Sequence, residues 1–115
     1  MNAQDIYEQS IQTIASYAAI KNIRRKSTLE ESPRFAITCN EIAEVAYKND
    51  VESFFFSVNP EESSLVIQMQ MFELYTNNGR TDTFFNVIKE VSSFVVKKVN
   101  DETICVELNF PFQWV

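Results

Sequence analysis

Apolar side chains in the first part of the chain return every three or four positions. Ala3, Ile6, Tyr7, Ile11, Ile14, Ala15 and Ala18 form one stripe, which predicts a helix over 3–22. Asn2 suits its N-cap, with Asp5 three positions on. Residues 27–33, "STLEESP", read as a loop. The pattern over 35–50 admits two readings. In the first, "FAIT" is a short strand and Thr38, with Glu41 three later, caps a helix running from Glu41 toward Tyr47. In the second, 42–48 is a strand paired with 52–58 across "KND". Ala43, Glu44 and Ala46 favour the helix.

From residue 52 the period changes to two. "ESFFFSV" at 52–58 predicts a strand, "NPEES" a turn and 64–75 a second strand. Leu65, Ile67, Met69 and Met71 face one way along it and Gln68 and Gln70 the other. "TNNGR" is a turn, and Gly79, the one glycine of the chain, marks a positive-φ position within it. Phe84, Ile88 and Val91, with Phe85 beside them, predict a helix over 82–92. Residues 94–99 and 102–114 form a hairpin across Asn100-Asp101. The expected fold is α+β and a single domain over 1–115. An antiparallel sheet of four to five strands, from hairpins 52–75 and 94–114, packs against helices 3–22 and 82–92.

The last strand stands out. Ile104, Val106, Leu108, Phe110, Phe112 and Trp114 share one face, and Thr103, Cys105, Glu107, Asn109, Pro111 and Gln113 the other. Pro111 lacks a ladder donor, which predicts an edge strand over 104–114. A long edge with an aromatic end is a template for pairing with another chain. Phe110, Phe112 and Trp114 are therefore candidate partner-binding residues. The competing reading is that Phe112 and Trp114 cover this chain's own core.

The chain has 115 residues, 45% hydrophobic and 13% aromatic, enough to bury a core without disulfides or metal. Its net charge of −6 is uneven: residues 1–29 carry two acids and four bases, 30–62 eight and two, and 63–115 six and four. The pairs Glu30/Glu31 and Glu61/Glu62 fall in loops and are the acids expected to steer a basic partner, although solvated loops are the plainer account. The acidity disfavours direct binding of nucleic acid or of an anionic membrane surface. "MNAQDIYEQS" has no signal-peptide pattern and no apolar run reaches membrane-spanning length, so a cytoplasmic location is expected. Cys39 and Cys105 then read as reduced, buried thiols.

Missing parts bound the chemistry. With no histidine, the Ser-His-Asp and Cys-His nucleophile systems and the usual His ligands for zinc are ruled out, and two cysteines alone cannot close a structural zinc site. One glycine cannot build a Walker loop or a dinucleotide-binding fingerprint. No cofactor, metal or catalytic residue is expected, and the chain reads as a non-enzyme. Glu41 and Glu44 would share a helix face but read as ordinary surface charges, and Asp101 and Glu102 as turn residues. Met69 and Met71 read as core filling. Lys21, Arg24, Arg25 and Lys26 follow the first helix, where cations suit its dipole as well as they would a docking patch.

Residues 84–112, "FFNVIKEVSSFVVKKVNDETICVELNFPF", resemble YbjN-type proteins, which are similar in fold to class I type III secretion chaperones. The resemblance places Asn86 in a helix, Lys97–Val99 in the first hairpin strand and Leu108 to Pro111 at the end of the second. It implies an α-β-β-β-α-β-β order, provided 42–48 is a strand, and an acidic dimer that holds an extended segment of a partner. Two functions are therefore expected to compete. One is a chaperone- or adaptor-like module that binds a protein partner or a second copy. The other is a small inhibitor, such as a toxin-immunity or phage anti-defence (anti-CRISPR-like) protein, that covers a basic partner.

Overall fold

The computed structural model describes residues 1–51, 53–72, 86 and 93–115. Two helices, α1 (Ala3–Ile20) and α2 (Pro33–Lys48), precede the strands β1 (Ser53–Asn59), β2 (Ser64–Phe72), β3 (Ser93–Lys98) and β4 (Thr103–Pro111). The strands form one antiparallel sheet in the order β1-β2-β4-β3, so the fold is α+β as expected. Of the helix expected over 82–92 only Asn86 is described, and it is helical and exposed. The 76–80 turn with Gly79, and residues 73–75 of the expected second strand, lie outside the described residues.

α1 starts where its cap is expected. Asn2 Oδ1 accepts from the Asp5 amide at 2.8 Å, and Asp5 returns a carboxylate to the Asn2 amide at 3.2 Å. The reciprocal pair satisfies two amides that a helix start leaves open. Both helices end in a Schellman motif without glycine. Ile23 N–H donates to Ala18 O and Val51 N–H to Ala46 O, around Asn22 (φ 57°) and Asp50 (φ 46°). Asn and Asp tolerate the left-handed region better than most residues, so the helices terminate without glycine.

α2 contains the helix favoured from Glu41 toward Tyr47 and extends it back to Pro33. Neither the "FAIT" strand nor the strand over 42–48 exists, so the strand-dependent seven-element order is not realised. Ser32 is the N-cap, its Oγ accepting from Phe35 N–H at 3.1 Å, and Pro33 fills the first turn, where its missing donor costs nothing. Thr38 is not a cap. It is buried inside the helix, with its hydroxyl donating to Arg34 O at 2.8 Å. The stripe Phe35, Cys39, Ile42, Val45 and Ala46 overrides the β-branched local preference.

One face of the sheet carries Leu65, Ile67, Met69, Met71, Ile104, Val106, Leu108 and Phe110, all buried against Ile6, Ile14, Phe35, Cys39, Ile42 and Val45 of the helices. Phe35 meets Phe110 edge-on, with ring centroids 5.3 Å apart. On the other face, Gln68 Nε2 donates to its cross-strand neighbour Glu107 at 3.1 Å.

The expected edge position of 104–114 is overturned. β4 is internal, paired with β2 over Thr103–Pro111 and with β3 over Ile104–Asn109. Pro111 fits because Phe112 N–H donates to Ser63 O. Neighbouring residues on an antiparallel strand turn their amides to opposite sides. The Pro111 nitrogen thus points away from β2, two residues past the Ser93–Asn109 pair that ends the described β3 ladder. Among the described strands, the sheet edges are β1 and β3.

Candidate partner-binding site

After β4 the chain crosses to the loop between the helices. Thr28 N–H donates to Gln113 O at 2.8 Å, Gln113 N–H to Thr28 Oγ1 at 3.0 Å, and Val115 N–H to Lys26 O at 2.7 Å. Ser27 and Trp114 form an isolated antiparallel bridge. The alternation of β4 therefore continues past Pro111. Phe112 is buried and Trp114 half-buried, their rings 5.2 Å apart and nearly perpendicular. Trp114 also stacks on Tyr17 of α1, at 6.5 Å and 8°. This end is packed into the chain's own fold. The expectation of a free aromatic end fails for Phe110 and Phe112, which are core residues, and only Trp114 keeps a partly open face.

A cleft of about 630 Å³ opens beside this segment, lined by Pro111, Phe112, Gln113 and Trp114 together with Thr28, Glu62 and Ser63. The β1–β2 turn forms one wall. Asn59 Oδ1 accepts from Glu61 N–H at 3.0 Å, and Ser63 adopts a positive φ of 50°, which holds Glu62 at the opening. Behind Trp114 lies a smaller hollow of about 130 Å³, which Glu30 lines together with Arg25 and Lys26. Tyr7 donates its hydroxyl to the Glu30 carbonyl at 2.8 Å and fixes the second acidic turn. Burial, then the nearby Glu30 charge and Cys39, push the Tyr7 phenol up.

Of the seven residues named from sequence, three meet in the cleft: Glu62, Phe112 and Trp114. Glu30 lies behind Trp114, Phe110 lies in the core, and Glu31 and Glu61 are exposed on the two turns without lining the cleft. The two acidic turns flank one segment, because Phe112 is tied to Ser63 and Gln113 to Thr28. Tyr17, Thr28, Ser63 and Gln113 were not legible as site residues, since each enters through contacts distant in sequence. The basic run 21–26 lies past the last turn of α1, and Arg24, Arg25 and Lys26 are exposed.

The thiols divide. Cys39 is buried, and burial pushes its pKa up to about 12. Cys105 is only half-buried on the outer face of the sheet, contrary to expectation. Its pKa is raised by burial and by Glu107, with Lys97 opposing. Both therefore stay protonated near neutral pH, which makes each a poor nucleophile. Glu41 is half-buried and Glu44 exposed on α2. Among the described residues no group of three or more Cys, Asp or Glu is placed to hold a metal ion, and no helix is long and apolar enough to cross a membrane. No family model, curated protein or solved structure matches the chain.

Proposed function

We propose that this chain is a non-enzymatic, cytoplasmic, acidic protein-binding module of chaperone or adaptor type. It holds an exposed basic-and-apolar segment of a partner protein in the cleft beside the C-terminal segment. One observation carries the reading: Glu62, fifty residues before Phe112, lines a single opening with Phe112 and Trp114. The partly open face of the indole offers a rigid apolar surface that costs little entropy to order, as interface anchors do. Glu62 at the rim supplies a charge that favours Lys or Arg on the ligand.

An inhibitor that covers a basic surface would use the same groups. That reading gains from the two acidic turns, 30–31 and 61–62, lying on either side of one segment. Its target would meet both turns at once, whereas a captured segment needs only the cleft.

Selection of random peptides on the immobilised protein tests the proposal. Sequences joining Lys or Arg to an aromatic or branched apolar residue should be enriched. Their binding should fall steeply with Glu62→Lys and with added salt, while far-UV circular dichroism stays unchanged. Failure to enrich any peptide, or equal binding to Glu62→Lys, would refute the cleft as the site.

A further inference from the structure

The outer edge of β1 is open and unusually suited to itself. Phe112 N–H bonds to Ser63 O, which sets the alternation across the sheet: Leu65, Ile67, Met69 and Met71 face β4, and Ser64, Val66, Gln68 and Gln70 face β1. On β1, Ser53, Phe55, Ser57 and Asn59 are thus bonded inward. Phe54, Phe56 and Val58 turn their N–H and C=O groups outward, and no described strand pairs with them. Edge strands are ordinarily blunted by charge, proline or a bulge. β1, "SFFFSVN", has none of these, although the chain carries a net charge of −6.

The segment Ser53-Phe54-Phe55-Phe56-Ser57 reads the same in both directions. A two-fold axis sets residue i opposite j and j opposite i, so an antiparallel pairing centred on Phe55 places like residues opposite each other throughout 53–57. Phe55, which is 54% exposed on the face away from the helices, would lie opposite its own copy. Phe54 and Phe56, stacked 6.1 Å apart and only partly buried, would lie opposite Phe56 and Phe54 of the second copy. Ser53 would meet Ser57. Each cross-strand aromatic pair contributes roughly 0.2–1 kcal/mol beyond the ladder itself. A different protein supplies no reason for the sequence to be palindromic.

We infer that two copies of this chain pair antiparallel along β1, centred on Phe55, to form a continuous eight-stranded sheet from the four described strands of each. This goes beyond the cleft reading and needs no partner protein, so either can fail without the other.

Sedimentation across a wide concentration range should give a species of twice the chain mass. Phe55→Lys, which sets like charges opposite each other on an exposed position, should weaken association by about tenfold or more. Register is tested with single cysteines in a Cys105→Ser background. Phe55→Cys brings two Cα atoms to about 4.5 Å at a non-hydrogen-bonded pair, within the disulfide range of about 4.4–6.8 Å. It should cross-link to itself under mild oxidation. Ser57→Cys, about 13 Å from its own copy in this register, should not. A protein monomeric at every concentration overturns the inference. So does a dimer indifferent to Phe55→Lys, or equal cross-linking by both cysteines.

Discussion

β1 and β3 bound the described sheet, each with one neighbour among the described strands, and they are built to opposite ends. β1 lies under α1, its Phe54, Phe56 and Val58 packed against the core, and carries no charge. In β3 only Phe94 is partly buried. Val95 and Val96 are exposed at 44% and 47%, and Lys97 and Lys98 end the strand. Lysine is a common means of stopping an edge from recruiting another chain. The comparison separates two tasks that an outer strand can have. β1 contributes to the core and leaves its rim open, whereas β3 pairs with β4 and is guarded by charge.

The largest expected effect tests that division directly. Phe56→Ala removes a ring packed against the helix-side core and should destabilise the protein by about 2–4 kcal/mol in urea unfolding at constant m-value. Val96→Ala, the equivalent helix-side position on β3, should cost about 0.5 kcal/mol or less. Equal losses would mean that β3 is as much a core strand as β1. The two variants should also differ in their folded-state mass distribution, since Phe56 lies on the proposed pairing edge.

The two faces of the sheet differ as its edges do, and pH sharpens that contrast. Cys39 sits on the helix side with its thiol pushed up to about 12, against an ordinary value of 9.0. Between those values the unfolded chain releases this proton and the folded one does not. The unfolded state therefore binds fewer protons, and stability falls as pH rises, by about 1.4 kcal/mol per pH unit. Below pH 9.0 this contribution is fully present. At pH 10.5 the native protein should have lost about 2 kcal/mol more than Cys39→Ala, with both referenced to their own stability at pH 8. Parallel pH profiles would refute the assignment. Cys105, on the outer face, should react with a thiol reagent in the folded protein while Cys39 is protected.

Sequence pattern located most elements, because helix stripes and strand alternation are local. α1 and its Asn2–Asp5 cap follow from three- and four-residue spacing, and β4 from strict alternation. The pattern could not order the strands. Pro111 forbids a donor on one side of its strand but does not say which neighbour lies there, so an internal strand passed for an edge. The helix favoured from Glu41 toward Tyr47 is present within α2, but "FAIT" looks extended locally and hides its start, although Ser32-Pro33 spells a cap and first turn. The candidate site was half legible. Glu62 and Trp114 stood out by charge and size, but their meeting depends on Phe112 pairing with Ser63, a contact no local pattern encodes.

The smallest expected effect concerns the guard on β3. Lys97 Nζ lies 3.8 Å from Glu107 Oε2, with the lysine side chain 58% exposed. Glu107 also accepts from Gln68 at 3.1 Å, so its carboxylate keeps a partner without the lysine. With the lysine exposed and the carboxylate 21% exposed, a pair at this distance gains little against screening and side-chain entropy. Lys97→Ala should therefore shift unfolding stability by no more than about 0.5 kcal/mol, and added salt should erase even that. A larger, salt-resistant loss would mean that Lys97 anchors β3 through its stem rather than its charge. Lys97→Met, which keeps the stem and drops the charge, would then restore the loss, and the lysine would count as packing rather than as a guard.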